Sequence, residues 1–124
     1  MIYKQFIGKV IHGNEIGRTI GFPTANLALE NGTIPPNGVY CVKILLQKKH
    51  YFGIMNVGTR PSLNLKDISV EVHILDFNSN IYNKQIEIQP LIKIRNEIRF
   101  DSIQALQCQL QKDELFARNF IANL

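Results

Sequence analysis

The sequence predicts a small, mostly β domain that closes into an antiparallel barrel and ends in one helix. Two observations predict this fold: apolar or alternating runs of strand length fill the first two-thirds of the chain, and the hydrophobic period changes in the last segment. The 124 residues, 45% hydrophobic and 19% charged, suit one globular domain. A barrel would remove the open edges of short strands, although periodicity alone does not distinguish it from a sandwich.

Five runs have the length and residue types of strands, and the fourth alternates most clearly. Its valines and isoleucine share one face, whereas Glu71 and His73 share the other. The second and third runs flank a short polar segment and predict a hairpin. Pro90, in the fifth run, indicates an edge strand or a bend, because proline has no N–H for a ladder hydrogen bond. The runs are residues 6–11, 39–46, 51–57, 68–75 and 86–94.

The last segment has the three- and four-residue spacing of an amphipathic helix. Asp101 or Ser102 would cap its first turn, since both side chains accept hydrogen bonds from backbone N–H groups. Asp113 falls on the apolar stripe, where it either caps a second helical piece or pairs with a cation such as Arg95 or Arg99. The apolar positions are Ile103, Leu106, Leu110, Ala117 and Ile121.

Charge and cysteine content exclude several classes of protein. The net charge is +4, but the basic residues are scattered, so we do not expect nucleic acid as a partner. No run approaches 18 apolar residues and no signal-peptide pattern opens the chain, so we expect no membrane association. Cys41 and Cys108 show no metal-type spacing, and reduced thiols in a cytoplasmic protein are the expectation.

The most informative segment is the run of nine residues from Gly17 to Ala25, followed by Asn26. It predicts a loop that binds an anion, because glycines permit close backbone approach and their N–H groups can form a nest. Thr24 and Asn26 add neutral oxygens of the kind that Mg²⁺ accepts. The segment does not match a P-loop. The alternative is an ordinary barrel loop in which Thr24 and Asn26 only fix a turn.

The stretch from Gly13 to Leu27 resembles the nucleotide-binding segment of the riboflavin kinase family, whose hallmark Pro-Thr-Ala-Asn block is residues 23–26 here. The resemblance implies a six-stranded antiparallel Greek-key barrel with a C-terminal helix, and a single riboflavin kinase domain over residues 1–124. Further blocks that are similar, in the same order, are Ile34-Pro35, Gly38-Val39-Tyr40, residues 56–61 (expected as a loop), residues 70–77, and Arg95, Glu97 and Phe100.

The resemblance also implies a reaction: transfer of the ATP γ-phosphate to the riboflavin 5′-hydroxyl, giving FMN and ADP. Mg²⁺ would bind Thr24 and Asn26, with Mn²⁺ or Zn²⁺ as alternative metals, and the segment from Gly13 to Gly21 would close over the nucleotide. In bacteria such a module usually follows an adenylyltransferase domain that makes FAD. Nothing of that domain is in this sequence, which leaves two expectations: an excised C-terminal module, whose partner would be a linked FAD synthetase domain, or a free-standing kinase. The implied nucleotide-binding residues are Gly13, Gly17, Arg18, Gly21, Thr24, Asn26 and Tyr82.

Glu71 matches the family's catalytic glutamate and is the expected general base, a role worth about 10²–10⁴-fold in rate. His73 shares its face and either moves a proton or has no direct part in the reaction, as a hydrogen-bonded supporting residue or a surface residue. Arg95, Glu97 and Phe100 fall on the flavin side. The loop 77–83 is expected to border the nucleotide. There the family usually has glycine after the tyrosine, and this chain has Asn83, which tolerates the left-handed conformation.

Two other functions stay open at this stage. A small basic barrel can bind oligonucleotides by stacking bases on exposed aromatic side chains. The second alternative is a flavin-binding protein that has lost catalysis, because Asn83 replaces the glycine usual in the family. The aromatic candidates for stacking are Tyr3, Tyr40, Tyr51, Phe52 and Tyr82.

Overall fold

Six strands and one helix make up the computed structural model, which describes residues 3–14, 20–61 and 66–124. No helix in these ranges is both long enough and apolar enough to cross a membrane. The elements are β1 (Phe6–Asn14), β2 (Thr24–Gly32), β3 (Gly38–Leu46), β4 (Lys49–Pro61), β5 (Lys66–Ile74), β6 (Gln85–Arg95) and α1 (Ile103–Ala122).

The strands close into a barrel in the order β1-β2-β5-β4-β3-β6. Every pairing is antiparallel. The strands β3, β4 and β5 follow one another as neighbours, while β2 returns to lie beside β5, which is a Greek-key arrangement. The predicted antiparallel barrel is therefore confirmed, and the sandwich is excluded.

Two apolar clusters lie on opposite sides of the barrel wall. The inner cluster fills the barrel and includes Tyr40, Ile44 and Met55. The outer cluster lies between the wall and α1 and includes Cys41, Ile54 and Ala117. Because side chains alternate along a strand, outward positions of β3, β4 and β6 supply the wall side of this cluster. Outward-facing polar groups there are partly shielded from water.

The helix α1 is one uninterrupted element. Ser102 is its N-cap, and the Ser102 Oγ accepts a hydrogen bond from the Ala105 N–H at 3.0 Å, as the sequence predicted. Asp113 lies inside the helix and forms an ion pair with Arg95 at 2.8 Å. Of the two alternatives for Asp113, pairing with a cation is correct and the cap of a second piece is wrong.

The predicted hairpin between β3 and β4 is confirmed, with Gln47 and Lys48 as its two turn residues. Both have positive φ, 50° and 68°, which is the signature of a type I′ turn. Pro90 pairs with Val42 where the β3–β6 register shifts. It therefore marks a bend, and the edge-strand alternative does not apply in a closed barrel.

The sequence did not predict β2, and two loop expectations near the site are wrong. Thr24 and Asn26 lie in β2, where Thr24 pairs with Asn14 of β1. Gly13 lies in β1 and pairs with Ala25. Residues 56–61 also continue a strand, β4. The alternation of apolar and polar residues that marks a strand is weak in β2, because alanine, asparagine and glutamate interrupt it.

Candidate functional site

Among the residues that the structure describes, Thr24 lines two neighbouring clefts. The larger cleft, of about 700 Å³, lies between β1, the start of β2 and the loop after β5. The smaller cleft, of about 230 Å³, lies between the outer face of β4 and β5 and the first turns of α1. A ligand in one cleft can therefore meet a ligand in the other at Thr24.

The Thr24 hydroxyl is buried, and no residue in the described ranges forms a hydrogen bond with it. Leaving a buried polar group without a partner costs about 1–3 kcal/mol, so the site is suited to a ligand that completes this contact. A hydroxyl oxygen is a ligand type that Mg²⁺ accepts. The described residues contain no group of three or more His, Cys, Asp or Glu side chains placed to hold a metal. Neutral oxygens and a ligand's own phosphates therefore fit this position.

Glu71 lies in the middle of β5, directly opposite Asn26 of β2 and Asn56 of β4. Residues opposite each other in an antiparallel pair share a face, so the carboxylate lies between two amide side chains. Glu71 is half-buried and lines the smaller cleft. Thr24 is two residues before Asn26 on the same face, which makes it a diagonal neighbour of Glu71, at roughly 7–8 Å between backbones.

His73, two residues after Glu71, also lines the smaller cleft. Its Nδ1 is 2.7 Å from the backbone oxygen of Pro23. The Phe22 ring packs edge-on against the imidazole, with ring centres 5.5 Å apart. The histidine therefore contacts both residues that immediately precede Thr24. Of the two sequence-based alternatives, this geometry favours the supporting hydrogen bond.

Arg95 lies on the wall of the smaller cleft and is held by Asp113. Its Nε and Nη2 donate to the two Asp113 carboxylate oxygens at 2.9 and 2.8 Å, and Gln109 donates to the same carboxylate at 3.0 Å. The Arg95 guanidinium lies 5.9 Å from the centre of the Phe100 ring, within the range of a cation–π contact. The Glu97 side chain lies over Gly58 of β4. Arg95, Glu97 and Phe100 therefore form one wall.

The loop after β5 forms the rim of the larger cleft, with Asn78, Ser79, Asn80 and Tyr82 among its residues. Two backbone hydrogen bonds tie it to β1: the Val10 N–H donates to Lys84 O, and the Asn83 N–H donates to Val10 O. Asn83 has φ of 68°. It therefore adopts the left-handed conformation that asparagine tolerates better than most residues.

The structure brings most of the predicted site residues to the two clefts. Thr24 and Tyr82 line the larger one. Asn26 is 5% exposed, lies opposite Glu71 and lines neither cleft. Gly21 has a positive φ of 86°, and Gly17 and Arg18 lie outside the described residues. The residues at the smaller cleft are Thr24, Glu71, Arg95, Glu97 and Phe100.

Sequence reasoning gave no site role to Asn56 or Phe22, which both line the smaller cleft. Asn56 falls where the predicted strand run 51–57 overlaps the block 56–61 expected as a loop, and it lies on β4 opposite Glu71. The alternation along the strand could have shown its position: Met55 and Val57 on either side of Asn56 point into the barrel, so Asn56 lies on the outer face. No feature of the sequence indicates a site role for Phe22, because a single apolar residue beside a proline is typical of ordinary core packing.

Comparison with known proteins finds a family model that matches nearly the whole chain. The sequence model described as riboflavin kinase matches residues 2–121. A bifunctional riboflavin kinase/FMN adenylyltransferase from Haemophilus influenzae is 46% identical over 117 residues, covering 94% of this chain and 38% of that protein. The chain thus spans little more than a third of the length of such relatives.

Two solved structures share the fold. One, described as a macrolide-efflux protein from Streptococcus pneumoniae, is 40% identical with a TM-score of 0.87, and the match covers 93% of this chain and 38% of that one. The other, a riboflavin kinase from Trypanosoma brucei, is 23% identical with a TM-score of 0.64, covering 97% and 82%. The second likeness concerns the barrel and helix alone. With nearly its whole length matched by the family model, the chain belongs to the riboflavin kinase family, as the order of its sequence blocks predicted.

Proposed function

We propose that this chain transfers the γ-phosphate of ATP to the 5′-hydroxyl of riboflavin, giving FMN and ADP. The observation that carries the proposal is that Thr24 lines both clefts while Glu71 lines the smaller one. A phosphoryl group at the junction would therefore lie near a carboxylate. Membership of the riboflavin kinase family supports the choice of substrates.

ATP is assigned to the larger cleft and the flavin ring to the smaller one. The larger volume falls within the usual range for small-molecule sites, about 300–1,000 Å³, and its rim carries the side chains of Asn78, Ser79 and Asn80. The smaller cleft combines apolar walls with the charged groups of Arg95 and Glu97. A flat ring with polar edges suits that combination, and its ribityl chain would extend toward Thr24.

Thr24 and Asn26 are the residues that would hold Mg²⁺, with Mn²⁺ and Zn²⁺ as the other candidate metals. The unpartnered hydroxyl of Thr24 supports this assignment. Asn26 lies on the same face of β2, two residues further along. When bound, the metal would neutralise charge on the phosphates, which is a main source of catalysis in phosphoryl transfer.

Glu71 would accept the proton of the riboflavin 5′-hydroxyl. The flanking amides of Asn26 and Asn56 restrict where its carboxylate can point. Removal of this base is expected to cost about 10²–10⁴-fold in rate. Positioning of the two substrates at the junction accounts for the remainder of the catalysis.

The relatives indicate how the full-length protein could be organised. These relatives are bifunctional riboflavin kinase/FMN adenylyltransferases, and this chain corresponds to about 38% of their length. We propose that residues 1–124 are the kinase domain and that an adenylyltransferase domain is its covalent partner. A cytoplasmic location fits such a biosynthetic role.

The direct test is to incubate the protein with riboflavin, ATP and Mg²⁺ and to separate the flavins by chromatography. FMN should form in proportion to ADP, and a parallel reaction with a chelator in place of the metal should form none. Riboflavin that remains unchanged while ATP and metal are present would refute the proposal.

The structure does not support the nucleic-acid alternative, because most of the aromatic side chains that could stack on bases are packed in the protein. Tyr40 is 1% exposed, and Tyr3 packs edge-on against it at 5.2 Å. Tyr51 and Phe52 pack against the inner and outer apolar clusters. Among the five aromatic candidates, Tyr82 alone is exposed, and it lines the larger cleft.

The alternative of an inactive flavin-binding protein rested on the change from glycine to Asn83. The backbone at Asn83 has the left-handed conformation that glycine would supply. Its N–H also donates to β1. The turn beside Tyr82 is therefore retained, and nothing at this position argues against catalysis.

A further inference from the structure

His73 joins the strand that carries Glu71 to the segment that carries Thr24. Its Nδ1 lies 2.7 Å from the Pro23 carbonyl oxygen, and this carbonyl belongs to the peptide that leads into Thr24. We propose that His73 is a positioning residue: it fixes the Pro23–Thr24 peptide and so the place of the Thr24 hydroxyl. The inference rests on the proposed function, because it deepens the role of Thr24 at the junction of the clefts.

The chemistry of the contact determines the state of the imidazole ring. A backbone carbonyl only accepts hydrogen bonds, so Nδ1 must carry a hydrogen. In the neutral ring Nε2 is then the nitrogen without hydrogen. The second contact, the Phe22 ring at 5.5 Å from the imidazole, holds the residue before Pro23. Two consecutive residues ahead of Thr24 are thus fixed by one side chain of β5.

The first residue of β2, Thr24, has no backbone pairing with β5. The pairing of β2 with β5 comprises Ala25 with Val72, Asn26 with Glu71 and Leu27 with Val70. On the other side, β2 remains paired with β1 as far as Thr24. The His73 hydrogen bond therefore replaces the next backbone contact with β5. A displacement of about 1 Å at a reacting group can cost 10²-fold in rate, so this contact matters for phosphate placement.

Two substitutions separate the hydrogen bond from the bulk of the ring. Asparagine places an amide N–H near the position of Nδ1, whereas leucine has a similar size and no donor. We expect His73→Leu to raise the KM for Mg·ATP by about tenfold or more and His73→Asn to restore most of that loss. Both variants remove the ring from the smaller cleft, so the KM for riboflavin should change alike in the two.

Two further measurements do not depend on turnover. Nitrogen-15 NMR of the ligand-free wild type should show the hydrogen of neutral His73 on Nδ1. Calorimetry should give the same order of Mg·ADP affinity: wild type, then His73→Asn, then His73→Leu. The proposal is overturned by an Nε2–H ring, or by equal Mg·ADP affinity in the two variants when thermal unfolding shows both to be folded. If the wild type forms no FMN, the proposed function fails, while the calorimetric order still decides the role of His73.

Discussion

Asp113 of α1 binds the guanidinium of Arg95 side-on, with Nε–Oδ1 and Nη2–Oδ2 distances of 2.9 and 2.8 Å. The carboxylate is 1% exposed and the arginine side chain 15% exposed. This pair fixes the helix to the end of β6, and both residues line the smaller cleft. It therefore connects the stability of the helix packing to the shape of the proposed flavin site.

Asp113→Asn should destabilise the protein and weaken riboflavin binding, because it leaves the Arg95 charge without its partner at nearly constant volume. Breaking a buried pair from one side costs on the order of 3 kcal/mol. Urea unfolding measures the stability, and quenching of riboflavin fluorescence measures the affinity. Asp101→Asn, at an exposed position before the helix, should change stability by less than about 0.5 kcal/mol. Equal effects of the two substitutions would contradict this account of the pair.

Thr24→Val should weaken binding of Mg·ATP without weakening the fold. The substitution keeps the shape and removes a buried hydroxyl that has no partner in the described residues. The ligand-free protein should therefore be unchanged or more stable by about 1 kcal/mol. Mg·ATP affinity, measured by calorimetry, should fall about tenfold or more, which is about 1.4 kcal/mol.

Thr59→Val is the matched control for that experiment. The Thr59 hydroxyl is exposed and accepts a hydrogen bond from Asn37 at 2.8 Å. It lines neither described cleft, so Mg·ATP affinity should stay at the wild-type value. If Thr24→Val destabilises the fold and leaves the affinity intact, its hydroxyl has a structural role only.

The ion pair between Asp76 and Arg118 predicts that the stability of the fold depends on pH. Hydrogen bonds and the charge of Arg118 lower the pKa of the Asp76 carboxyl below its ordinary value. A lowered folded-state pKa means that the contribution to stability is present above the ordinary value, about 3.9. It is lost as the pH falls through the folded-state pKa. Carboxyl NMR should show the Asp76 pKa rising in Arg118→Gln, and an unchanged value would contradict the pairing.

The two cysteines should differ sharply in reactivity. Burial raises the pKa of the Cys41 thiol to about 11, whereas Cys108 is exposed on α1. The thiolate is the reactive form, so at pH 8 a disulfide reagent should modify Cys108 and spare Cys41. Both thiols should react once the protein is unfolded. Rapid reaction of Cys41 in the native protein would show that the outer apolar cluster opens readily.

The sequence predicts elements whose pattern is local, and it predicts them well. Strand β5 was recognised from the alternation that puts Val70, Val72 and Ile74 inside, and the helix from its spacing and Ser102. Strand β2 could not be predicted in the same way, because its alternation is weak: the outward Asn26 is buried, and the inward Ala25 is small. Barrel closure depends on pairing between strands distant in sequence, and no residue pattern reports that pairing.

The sequence names residues that line the two clefts, Thr24 and Glu71 among them, but it does not give their geometry. Alternation shows that Glu71 points away from the barrel interior, but it does not show that α1 covers that face. The sequence does not decide which arginine pairs with Asp113, because Arg95 and Arg99 lie close to each other in the segment before the helix. The packing of α1 on β6 selects Arg95. The contact of His73 with Pro23 spans 50 residues of chain, which places it beyond local patterns.

The central claim is that Glu71 is the base in a phosphoryl transfer at the junction of the two clefts. Pre-steady-state formation of FMN by Glu71→Gln, beside Glu30→Gln as an exposed carboxylate control on β2, tests it most directly. We expect a loss of about 10²–10⁴-fold for Glu71→Gln, riboflavin affinity close to that of the wild type, and an unchanged rate for Glu30→Gln. A wild-type rate of FMN formation in Glu71→Gln would contradict the claim.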